Sequence, residues 1–159
     1  FSLLNICKLS NLNLDIIGTG TQLNDIKKHA KIMNLDVRFL GQIENNKIPK
    51  FLSKYKFYVT SSKIEGSPKT IMEAMAAELP VFGIKAKGLN SLVQNGKTGY
   101  LQSNIKNLSN KIIELKHNQR ILKELGFNAR NLIKKNFKLE KSINLENKII
   151  EKLINEKKY

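Results

Sequence analysis

The chain holds 159 residues, 41% of them hydrophobic, enough for one domain that buries well over half of its unfolded surface, which excludes disorder as its overall state. Its longest apolar runs, such as Leu14 to Gly18 and Ile71 to Met75, fall far short of the ~20 residues a membrane span takes, and without a charged-then-apolar leader the sequence predicts a soluble, cytoplasmic chain. The net charge of +15, from 28 Lys+Arg against 13 Asp+Glu, invites a nucleic-acid partner, but 25 of the 28 are Lys, whereas base readout and bidentate phosphate clamps favour Arg.

Only Arg38, Arg120 and Arg130 are Arg, and 19 Asn and 19 Ile accompany the Lys excess. That combination reads as a compositional bias on a solvated surface, suited at most to peripheral contact with an anionic membrane face, so no nucleic acid is expected. Cys7, alone, excludes an internal disulfide and fits a reducing compartment; among Leu3 and Leu4 it reads as a small buried hydrophobe. His29 and His117 lie in separate Lys-rich stretches without further ligands at metal-binding spacing, so no metal site is expected.

In chain order, Phe1 to Leu9 has helical spacing at Leu3, Leu4 and Cys7 but no N-cap and no strand ahead of it. A helix leading straight into a parallel strand normally follows another strand, so a first strand is expected to be missing. Strands follow at Leu14 to Gly18, Val37 to Leu40, Phe57 to Thr60, Val81 to Ile84 and near Tyr100. Between them helices are predicted over Gln22 to Met33, Ile48 to Lys54, Pro68 to Leu79 and, briefly, Leu89 to Gln94. This alternation predicts an α/β fold, a Rossmann-like parallel sheet with helices on both faces. From Ile105 the pattern is purely helical, three helices in all, the second interrupted at Gly126 and the third beginning after Asn136 and Phe137.

The densest chemical signal runs from Ser61 to Ala77, at the carboxyl end of a strand, where open parallel sheets place ligands. Ser67 fits as N-cap and Pro68 as first helical residue, which leaves the N–H groups of Lys69, Thr70 and Ile71 pointing out of the helix start toward an anion. Glu73 sits one turn further on among apolar neighbours, and its side chain leans back toward that start. A carboxylate is a poor phosphate ligand but accepts from both hydroxyls of a diol such as ribose. With Glu65 in the loop before the helix, the arrangement suits a nucleoside diphosphate carrying a sugar. The turn Gly18-Thr19-Gly20 allows close approach of a ligand to the backbone. As a dinucleotide fingerprint it fails, because Leu23 holds the third glycine position and Asp36 precedes the next strand instead of closing it.

Ile16 to Gly20, Val37 to Gly41, Glu65-Gly66 through Glu73-Ala74-Met75-Ala76, Leu79-Pro80-Val81 and Asn95 to Leu101, with a final helix start at Phe137 to Glu140, occur here in one order. In order and spacing they resemble the C-terminal, donor-binding domain of family-4 retaining glycosyltransferases of the GT-B fold, and the resemblance covers nearly all of residues 1–159. It implies transfer of a sugar from a nucleotide-diphosphate donor to a glycan or lipid-linked acceptor, without a metal cofactor. It also implies that Glu73 holds the donor ribose, that Glu65 stands at the transferred sugar as the catalytic candidate, and that Gly66, Ser67, Pro68, Lys69 and Thr70 meet the sugar hydroxyls and diphosphate. Gly18 and Gly20 would flank the diphosphate, and Arg38 to Gly41, Leu40 included, the base, chiefly through backbone. The family's first domain strand, its basic pair and its N-terminal acceptor domain have no counterpart here. In the family's strand order, 3-2-1-4-5-6, that strand is central, so Leu14 to Gly18 is expected to pair with Phe57 to Thr60 or to leave a gap. A non-catalytic basic module for anionic lipid or nucleic acid, and a nucleotide-sugar epimerase of the same fold, are the alternative readings.

Overall fold

Alternating short β-branched runs and amphipathic stretches produce, in the computed structural model, the order α1 (Ser2–Ser10), β1 (Leu14–Ile16), α2 (Leu23–Ile32), β2 (Val37–Phe39), α3 (Ile48–Leu52), β3 (Tyr58–Thr60), α4 (Lys69–Ala76), β4 (Val81–Ile84), β5 (Gly99–Gln102), α5 (Ile105–Leu115) and α6 (Gln119–Asn136). Residues 1–62 and 68–137 are described; Glu65, Gly66, Ser67 and the third C-terminal helix expected from the sequence lie outside them. All strand pairs among the described residues are parallel, and the α/β class expected from the sequence is the one observed. The strands form two groups, β1 with β2, and β3-β4-β5 with β4 in the middle. Of the two outcomes expected for the first strand, pairing with β3 or a gap, the gap is observed.

The core sits on both faces of β4. Val81 packs with Ile71 and Met75 of α4 and Ala129 of α6, while its neighbour Phe82, pointing the other way, packs with Ile6 of α1 and Leu108 and Ile112 of α5. The Phe82 ring also meets Phe57 edge-on at 5.2 Å and Tyr100 at 5.9 Å. Helices α5 and α6 start where Asn104 and Asn118 accept from the N–H groups of Asn107 and Ile121, the usual side-chain cap. At the other end of α5 the Lys116 ammonium donates to the carbonyls of Ser10 and Asn11, tying off the last turn of α1.

Three expectations change. Helix α6 runs unbroken through Gly126, because the helix lies directly on the turn after α4: a Cβ at this position would stand 2.0 Å from the Glu78 carbonyl oxygen. Helix α4 ends at Ala76, short of Leu79, because Glu78 turns left-handed (φ 63°) and Leu79 donates back to the Ala74 carbonyl, closing the helix in the manner of a Schellman motif. Leu89 to Gln94 is a set of turns, not a helix. There the buried Thr98 hydroxyl accepts from the Gln94 N–H at 2.9 Å and donates to the Leu92 carbonyl, taking over bonds a helix would make itself.

Candidate functional site

The turns after β1 and β2 are bonded to each other. Gly18 follows β1 with φ +119°, its N–H donating to the Gly41 carbonyl at 2.7 Å, and open space surrounds the Cα of both Gly18 and Gly20. Leu40, after β2, donates to the Ile16 carbonyl and is half-buried. The start of α4 follows β3. Pro68 is the cap residue instead of the first helical one, so Ile71 spends its N–H on the Pro68 carbonyl at 3.0 Å. The outward-pointing donors of the helix start are therefore those of Lys69 and Thr70, both exposed, and not the three expected.

Glu73 lies one turn into α4, half-buried, and with Thr70 it borders a cavity of about 670 Å³ between β1 and β3. Leu14 to Ile17 along β1 and Phe57 to Val59 along β3 border the same cavity. The Thr70 hydroxyl is within 3.3 Å of the Tyr58 hydroxyl, which donates to it. Gly18, Gly20, Arg38 and Leu40 do not line the cavity.

The side chain of Arg38 is occupied elsewhere. β1 and β2 place it directly opposite Asp15, and its Nε and Nη2 donate to the two carboxylate oxygens at 2.7 and 2.5 Å. The Tyr55 hydroxyl donates to the same carboxylate from the turn after α3. The Arg38 hydrogen bonds hold the Asp15 carboxyl below the usual carboxylate range, while desolvation first and the Asp15 hydrogen bond second push the Tyr55 phenol up to about 12. Neither Asp15 nor Tyr55 stands out in the sequence; only strand register brings them to Arg38. Cys7, buried as expected, has its thiol pushed up to about 11 by desolvation, which makes it unreactive in the resting fold. Among the described residues no cluster of His, Cys, Asp and Glu could hold a metal ion, and no helix is long and apolar enough to cross a membrane.

The parallel α/β core matches the domains of GT-B glycosyltransferases. Residues 1–132 match the family model of glycosyl transferases group 1, and the chain belongs to that family. It is 31% identical over 154 residues to an uncharacterized glycosyltransferase of Methanocaldococcus jannaschii, covering 95% of this chain and 44% of that protein. It is 32% identical to the poly(ribitol-phosphate) alpha-N-acetylglucosaminyltransferase of Staphylococcus aureus, covering 83% of this chain and 28% of that one. Among solved structures, a mutant of S. aureus TarM in complex with fondaparinux, alpha-GlcNAc-glycerol and UDP superposes with a TM-score of 0.83 at 27% identity, over 97% of this chain and 31% of TarM. The chain thus spans less than half the length of each of these proteins.

Proposed function

We propose that residues 1–159 are the donor-binding half of a glycosyltransferase that moves a sugar, with retention of configuration, from a nucleoside-diphosphate sugar to a glycan or lipid-linked acceptor held by a second domain. The observation that carries this reading is the position of Glu73: half-buried, one turn behind the exposed residues Lys69 and Thr70 that start α4, and lining with Thr70 the cavity that β1 and β3 border. Anion and diol recognition then stand one helical turn apart, the separation of a diphosphate from its ribose. The UDP named with the S. aureus structure supports the same class of donor.

In this assignment Lys69 and Thr70 meet the diphosphate beside the turn of Gly18 and Gly20, Glu73 accepts from the ribose hydroxyls, and the backbone of Arg38 to Leu40 flanks the base. Glu65 is assigned to the transferred sugar, and Gly66, Ser67 and Pro68 to the sugar hydroxyls and the diphosphate, as the family resemblance implies. Charge developing on the leaving diphosphate is met by the helix start, so no metal ion takes part. The Lys-rich surface favours work at the cytoplasmic face of an anionic membrane, without nucleic acid as a partner.

Calorimetric titration with UDP tests the reading. Glu73→Gln should weaken binding about tenfold, the ~1.4 kcal/mol of a lost charged hydrogen bond, and chelation of divalent ions should leave the affinity unchanged. Equal affinity of Glu73→Gln and the parent chain would overturn it, and salt-dependent binding to anionic vesicles that UDP does not compete for would favour the basic-module alternative. The anomeric configuration of the product, followed by NMR with the whole enzyme, tests retention; donor turnover without acceptor would favour an epimerase.

A further inference from the structure

The groups assigned to the nucleotide stand on two separate parts of the fold. Gly18, Gly20 and the Arg38 to Leu40 backbone belong to the β1-β2 ladder, whereas Lys69, Thr70 and Glu73 belong to α4, which follows β3 in the other group of strands. The register of the β1-β2 ladder is weakly specified by burial, because each strand is three residues long and none of their residues is fully buried. Asp15 supplies what burial does not. Its side chain is 7% exposed and accepts from Nε and Nη2 of Arg38 and from the Tyr55 hydroxyl, bonds that offset its withdrawal from water. The paired bonds from one guanidinium fix its orientation as well as its distance. A slip of one residue would part Asp15 from Arg38, and with it the Leu40 N–H from the Ile16 carbonyl and the Gly18 N–H from the Gly41 carbonyl.

The third bond leaves the ladder. Tyr55 follows α3, its N–H donating to the Leu52 carbonyl at 3.0 Å, and its side chain packs against the apolar cluster of Leu52, Ala74 and Leu79. Ala74 is the α4 residue next to Glu73. From Arg38 through Asp15 and Tyr55, a line of side-chain contacts thus runs from the strand assigned to the base to the helix assigned to the ribose and diphosphate. We propose that Asp15 is a positioning residue for the nucleotide donor, an assignment that rests on the nucleotide reading of the site: through Arg38 it sets the base-flanking backbone and the glycine turn in register, and through Tyr55 it holds both at a fixed place relative to Glu73. A rigid donor that touches both parts binds well only when their spacing is held, so a residue outside the contact surface governs affinity.

The test is UDP affinity by calorimetry, read beside urea unfolding, for the 159-residue chain and its variants Asp15→Leu, Asp15→Asn, Tyr55→Phe, Glu73→Gln and Asn104→Ala. Asp15→Leu should weaken UDP binding about tenfold, and Tyr55→Phe, which keeps the ring and its packing, about threefold. Asp15→Asn retains an oxygen acceptor for both partners and should recover most of the loss. Because Asp15 and Tyr55 act through one bond, the variant carrying both Asp15→Leu and Tyr55→Phe should bind no worse than Asp15→Leu alone. Asn104→Ala, which gives up a helix cap, should bind as the parent does; an equal loss there would mean that any loosening of the domain weakens binding, and would overturn the proposal. Parent-like affinity in folded Asp15→Leu overturns it as well, and so do losses that multiply in the double variant. Tyr55→Phe decides the matter if Asp15→Leu does not fold, since parent-like binding in it is equally fatal. Where Glu73→Gln weakens binding and Tyr55→Phe does not, only the positioning role fails; where Glu73→Gln binds as the parent does, the nucleotide reading fails and takes this role with it.

Discussion

Arg38, Asp15 and Tyr55 show how far a residue's chemistry depends on its neighbours. As one of three Arg among 25 Lys, Arg38 could serve any anion; opposite Asp15 its guanidinium is held by an internal carboxylate, which leaves its backbone for a base. The phenol of Tyr55 should titrate near pH 12, about two units above its ordinary value of ~10, as read by ultraviolet difference absorbance. Because the folded state holds this proton more tightly than the unfolded chain, the associated stability is present below about pH 10 and is lost as pH rises toward 12. Asp15→Asn removes the second of its causes and leaves the first, so the value should fall part of the way. For Asp15 the sign reverses. Its lowered pKa contributes stability above the ordinary carboxylate value of ~4, lost as acid protonates the pair.

Among the elements, α6 lies in close backbone contact with the turn after α4. The helix pair approaches so closely that Gly126→Ala places a methyl carbon 2.0 Å from a backbone oxygen, and the turn it meets is also held by the Arg130–Glu78 ion pair at 2.8 Å. Helix propensity alone would make this substitution stabilising by about 1 kcal/mol. Overpacking should win, with a net loss of roughly 1 to 3 kcal/mol in urea unfolding. Asn104→Ala, by contrast, removes only a cap and should cost about 1 kcal/mol without touching nucleotide affinity.

The whole molecule has two tiers of stability. β4 is covered on both faces, with Val81 and Phe82 at most 1% exposed, whereas β1 and β2 are half-buried or exposed along their length. Amides in the β1-β2 ladder should therefore exchange through local opening, at least a hundredfold faster than those of β4, in a native-state hydrogen-exchange experiment. Equal rates would mean that the two strand groups already unfold as one unit.

Much of this was legible in the chain itself. The alternation of short apolar runs with amphipathic stretches determined the α/β class, because strand and helix periods differ and each must bury its own face. A helix starting at Pro68 with Glu73 in its second turn was equally local, since helical geometry fixes that relation, although the start itself falls one residue later, at Lys69. What the tertiary structure decided involves contacts between distant positions. Register set Asp15 against Arg38, a turn 48 residues away made Gly126 a packing residue instead of a helix breaker, and the Thr98 hydroxyl turned an expected helix at Leu89 to Gln94 into turns. Local sequence carries propensities; whether a glycine interrupts a helix or a carboxylate captures an arginine depends on which atoms the fold places within a bond's reach, and those atoms come from other parts of the chain.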